Sequence, residues 1–113
     1  MSLQAPPLSV VRAVMPQLRF ALPRFRYLVE SSEVDAITSW YRDPVQNQRV
    51  GGHPQSQHLY ALAVDVVTAR PERVAAVARR VGLVAVIERD HVHVQAYPAG
   101  YVEREFGSRL SFW

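Results

Sequence analysis

Two stretches limit what this chain can fold into more than any others: the apolar run Ala61–Val67, broken once by Asp65, and the alternating run His91-Val92-His93-Val94. Successive side chains of a strand point to opposite faces, so His91 and His93 share one face while Val92 and Val94 share the other. Val64 and Val66 likewise point away from the Asp65 carboxylate. Both runs therefore describe strands with an apolar reverse and a polar front. An ionised carboxylate in such a run is costly to bury alone, and Asp65 needs either an ionic partner or a cation.

The remaining elements follow from local signals. Residues 1–22 read as an irregular lead-in with at most a helical turn over Leu8 to Met15, because Pro6, Pro7 and Pro16 interrupt any longer periodicity. A short helix is expected from Pro23 to Glu30, then a strand over Val34 to Tyr41. Asp43 is placed to cap a helix that Pro44 opens and Gly51-Gly52 ends, leading through a loop to His58. The clearest helix is Pro71 to Val81, with Glu72 at its positive end, Arg79 and Arg80 at its negative end, Gly82 after it, and Val74, Val77, Ala78 and Val81 as its buried stripe. Leu83–Glu88 and His91–Tyr97 form a hairpin across Arg89-Asp90. The order of elements implies an α+β domain, a small and mainly antiparallel sheet with helices packed on one side. Residues 98–113 form a tail without assigned structure, whose Tyr101, Phe106, Leu110, Phe112 and Trp113 are expected to pack on the body or on a neighbour.

With 113 residues the chain suits a single domain, 1–113. It has no cysteine, so disulfides and thiolate metal sites are both excluded. All 13 basic residues are Arg, and the formal charge is +3. The arginines are scattered and lack the dense run of a nucleic-acid arm, so no nucleic-acid partner is expected. No segment reaches the roughly 20 apolar residues of a membrane span, and the first residues lack a basic stretch followed by an apolar one. Synthesis in the cytoplasm without a recognisable signal peptide is expected.

Three of the four histidines lie in the two segments around His58 and His93. His58, Asp65 and His93 are potential metal ligands, and imidazole and carboxylate suit zinc; three protein ligands leave a fourth position for water. Each residue also has an ordinary reading. A histidine in an apolar strand can be a satisfied core group, and Asp90 can be a turn residue. Arg42 can pair with Asp43 or Glu33. No Gly-rich phosphate loop is present, since Gly51-Gly52 lacks the spaced glycines and Lys.

In sequence order, Ile37-Thr38-Ser39-Trp40-Tyr41-Arg42, Asn47-Gln48-Arg49-Val50-Gly51-Gly52, Ser56-Gln57-His58, Ala63-Val64-Asp65 and Asp90-His91-Val92-His93 together resemble the M15 zinc peptidases. That group includes D-alanyl-D-alanine carboxypeptidases, cell-wall endopeptidases and phage endolysin domains. The resemblance implies a hedgehog/D-Ala-D-Ala peptidase-like fold, with Zn2+ held by His58, Asp65 and His93. It further implies Asp90 as general base, His91 close to the reacting centre, and Arg42 and Ser56 facing the substrate, with Arg42 a catalytic group whose fork of donors suits a developing oxyanion or a peptide carboxylate. The chain departs from the family pattern at Ala61, where Gly is usual, at Val94-Gln95, where a polar residue usually follows the last ligand, and in Val84–Glu88, which lacks glycine.

The function implied is hydrolysis of peptidoglycan stem or cross-bridge peptides by a metal-activated water, acting on the wall after delivery by lysis, a holin or a virion. The alternative is a catalytically inactive M15-like structural or wall-binding component of a virion or other assembly. Cleavage of purified wall peptides separates the two.

Overall fold

The computed structural model describes residues 3–107. Its elements are α1 (Leu8–Ala13), α2 (Met15–Val29), β1 (Ala36–Ser39), α3 (Pro44–Arg49), a 3-10 turn (Gln57–Tyr60), β2 (Ala63–Val67), α4 (Pro71–Arg80), β3 (Val84–Ile87), β4 (Val92–Gln95) and α5 (Tyr101–Phe106). The four strands form an antiparallel sheet in the order β1-β2-β4-β3. The α+β architecture expected from the sequence is the one observed.

Register decides what each face carries. Asp65 lies opposite His93, Val86 lies opposite His93 from the other side, and Ser39 lies opposite Asp65. These residues share the polar face. Val64 opposite Val94 and Val66 opposite Val92 share the reverse, and all four are buried in the core with Val10, Val14, Leu18, Phe25 and Leu28 from α1 and α2 and Val74, Ala75 and Ala78 from α4. Helices α1, α2 and α4 therefore cover the valine face, and the 3-10 turn and Arg42 meet the Asp65 face, with Asp65 itself buried.

Three expectations need correction. Within residues 3–22 the helical turn allowed over Leu8 to Met15 is present as α1, but the stretch is not an irregular lead-in, because α2 follows at once from Met15. Pro16 sits at the first turn of α2, where the missing N–H costs nothing, and Pro23 lies inside the helix instead of opening it. The stripe Leu18, Ala21, Phe25 and Leu28 recurs at helical spacing and is buried, which outweighs the one backbone bond that Pro23 cannot make. The region after Pro98 is not without structure either. It contains α5, anchored by Tyr101 stacked on Tyr97 at 3.9 Å between ring centroids and by Phe106 stacked on Tyr60 at 4.5 Å. Tyr101 and Phe106 thus pack on the body as expected, whereas Leu110, Phe112 and Trp113 lie outside the described residues. The first expected strand, Val34 to Tyr41, is shorter than expected, because only Ala36–Ser39 pairs with β2 and its register slips between Ile37 and Ser39.

The αL conformation of Ala61 (φ 60°) ends the 3-10 turn and redirects the chain into β2. This is the position at which the sequence carries Ala in place of the family's glycine, and the left-handed backbone explains why glycine suits it.

Candidate metal centre

The 3-10 turn delivers His58. Ser56 caps that turn, its Oγ accepting from the His58 backbone N–H at 3.1 Å. Asp65 comes from the middle of β2 and His93 from the middle of β4, directly across the ladder. One ligand atom from each of His58, Asp65 and His93 lies within 4.8 Å of the others. Residues separated by up to 35 positions in the chain meet because two strands are in register and a turn leads into one of them.

The hydrogen bonds around these side chains determine which nitrogens are free. His58 Nδ1 donates to the Trp40 carbonyl at 2.6 Å, which leaves Nε2 as an acceptor facing Asp65 Oδ1 at 3.2 Å. His93 Nδ1 lies 3.1 Å from the same oxygen, and its Nε2 donates to Gln95 Oε1 at 2.8 Å. Gln95 is oriented in turn by donating to the Tyr97 carbonyl at 2.8 Å. Outer partners that fix the tautomer of a histidine are characteristic of metal-binding imidazoles.

Arg42 closes the other side of the carboxylate. Its Nη2 donates to Asp65 Oδ2 at 2.7 Å, Nε to Ser39 Oγ at 3.0 Å, and Nη1 to Asn47 Oδ1 at 3.3 Å. The pairing with Asp43 or Glu33 open to Arg42 from sequence is not the one formed. Asp43 caps α3 by accepting from the Gln46 N–H at 2.7 Å, and Glu33 pairs with Arg70 and Arg73. Asn47 is itself held close to Gly52, where a Cβ would overlap its side-chain amide. The Gly51-Gly52 pair is therefore needed at its second position for close approach and at its first for a positive φ of 72°.

Burial pushes the His58 imidazole below its ordinary value, and the nearby carboxylate does not reverse this. Burial acts upward on Asp65, yet hydrogen bonds and charge from His58 and His93 outweigh it and hold the carboxyl well below the usual carboxylate range. For His93 burial acts downward, but Asp65 and Gln95 outweigh it and raise the value. The consistent state is an ionised Asp65, a His93 that donates to it, and a neutral His58 whose Nε2 lone pair faces a carboxylate oxygen. A lone pair and a carboxylate oxygen 3.2 Å apart form an arrangement that a cation between them would satisfy. The donor set of two imidazoles and a carboxylate fits zinc, and no thiolate is needed.

The three residues open onto a cleft of about 580 Å3 that Arg42, Ser56 and His91 also line. His91 Nε2 lies 3.8 Å from Asp65 Oδ1, and its Nδ1 lies 2.7 Å from Asp90 Oδ1. Asp90 does not line the cleft; its exposed carboxylate reaches the site only by way of His91. That hydrogen bond from His91 lowers the Asp90 carboxyl from its ordinary value. His53 is exposed and accepts from the Gln55 N–H at 2.9 Å, apart from the ligand cluster as its sequence position suggested.

Gln95, Asn47 and the Trp40 carbonyl are the partners that sequence reasoning did not single out as site groups. Gln95 had a usable signal, because it stands two residues from His93 on the same strand face. Asn47 and the Trp40 carbonyl had none, since their contacts depend on loop paths.

No curated protein and no solved structure matches the chain. A family described as Peptidase M15 matches it over residues 13–95, from the start of α2's approach to the end of β4, and so spans every residue of the ligand cluster. With that match over most of its length, the chain belongs to the M15 peptidase family.

Proposed function

We propose that this chain is a zinc metallopeptidase that hydrolyses peptidoglycan stem or cross-bridge peptides. The observation that carries the reading is the convergence of His58 Nε2, Asp65 Oδ1 and His93 Nδ1 at the wall of an open cleft. M15 membership supplies the peptide-hydrolase class, and the cell-wall substrate follows from the resemblance to wall-acting members.

His58, Asp65 and His93 would hold the metal. Held there, zinc would supply an activated water, its pKa lowered to about 7, and polarisation of the scissile carbonyl. Asp90 serves as the general base, accepting a proton during attack and returning it to the leaving amine. His91 stands between Asp90 and the ligand cluster, hydrogen-bonded to Asp90 through Nδ1 at 2.7 Å and with Nε2 3.8 Å from Asp65 Oδ1, so a proton from the cleft would reach the exposed carboxylate by way of this ring. Arg42 keeps Asp65 oriented, leaving Oδ1 for the metal by occupying Oδ2. Ser56 positions His58 through the turn it caps and borders the substrate.

Release of new amino groups from purified peptidoglycan tests the reading. Zinc-loaded protein should release them, chelation should stop the release, and Asp90→Ala should keep about one zinc per chain while losing at least about a hundredfold in turnover. Zinc retained without any release would favour the inactive structural component instead.

A further inference from the structure

Resting on the peptidase reading above, we infer that the cleft accepts an internal peptide segment and disfavours a chain end carrying a free carboxylate, so that the site acts as an endopeptidase. A carboxypeptidase must meet the terminal carboxylate of its substrate with a cation, and a bidentate arginine is the usual means. Arg42 is the one Arg lining this cleft among the described residues, and its three nitrogens are already directed at Asp65, Ser39 and Asn47. Turning it toward a ligand would break its 2.7 Å ion pair with Asp65, which is 5% exposed, and leave Oδ2 without its donor.

Apart from its histidines, the other ionisable residues on the walls have the wrong sign for an anion. Glu88, at the end of β3, lines the cleft beside His91 and His93, and Glu103 lines it from α5. Neither forms an ion pair within the described residues. Arg104 folds over Gly100 at the rim and is not part of the lining. A carboxylate ending a bound chain would therefore share the cleft with Glu88 and Glu103, whereas an amide continuing the chain adds no charge.

The test uses zinc-loaded protein and two peptides of one sequence from the wall stem, one ending in a free carboxylate beyond the scissile bond and one amidated there. Cleavage is followed by mass analysis. Binding of the same pair with the scissile amide N-methylated is followed by calorimetry. The amidated peptide should be cut and bound about tenfold better, and Glu88→Gln with Glu103→Gln should recover most of the acid's deficit. Equal or better use of the acid overturns the inference and points to Arg104 as the anion's partner. Binding preference for the amide without cleavage of either peptide leaves the inference standing and removes the peptidase reading. Absence of binding by both peptides overturns the inference as well.

Discussion

Asp65 accepts from Arg42 on Oδ2 and from His93 on Oδ1, and the His58 Nε2 lone pair lies 3.2 Å from that same Oδ1. Replacing it with Ala leaves the mostly buried Arg42 guanidinium without a counter-charge, a situation that costs roughly 3–5 kcal/mol. Urea unfolding of the metal-free Asp65→Ala protein should show a loss in this range, and a loss under about 1 kcal/mol would mean that the pair is not formed. Protonation follows from the same oxygen. Because the folded value of His93 is raised, its stabilising contact with Asp65 is fully present below the unfolded value near 6.5 and fades as pH rises through the folded value. His58, depressed by burial, contributes with the opposite slope. A zinc ion held at His93 Nδ1 would displace the proton that this nitrogen donates to Asp65. Calorimetry in buffers of different ionisation enthalpy should report proton release that grows as pH falls, with affinity dropping alongside; release of none at any pH would contradict the assignment. Asp65 and His93 could be put on polar strand faces from alternation alone, whereas His58, on a turn, was singled out through the resemblance to the M15 pattern. The partner of Arg42 was not legible, because it lies 23 residues away and depends on how β1 meets β2.

At the scale of elements, β2, β4 and the Pro71-led helix were legible because a period of two or a stripe of 3.6 with end signals declares itself within a dozen residues. α2 was not, because proline is read locally as a breaker while the buried stripe that overrides it extends on both sides of Pro23. Pro23→Ala restores a backbone N–H to the helix interior and should stabilise the protein by about 1–3 kcal/mol in chemical denaturation. A neutral or destabilising result would show that the helix path at Pro23 is required by its packing. α5, at six residues, is too short to declare itself in sequence, and its anchoring by Tyr97 and Tyr60 is a property of tertiary contact.

For the molecule as a whole, the sheet divides labour between its faces. The valine face joins the helices in one core, and the opposite face presents Asp65 and His93 with His58 arriving from the turn beside them. No described helix is long and apolar enough to cross a membrane. Everything proposed about chemistry depends on a metal being held where the three donors converge. Anomalous diffraction recorded at the zinc absorption edge from crystals of the zinc-loaded protein tests this most directly. The expected result is one strong peak about 2.0–2.2 Å from His58 Nε2, Asp65 Oδ1 and His93 Nδ1. A peak elsewhere, or none at this cluster in protein that carries zinc, would contradict the account.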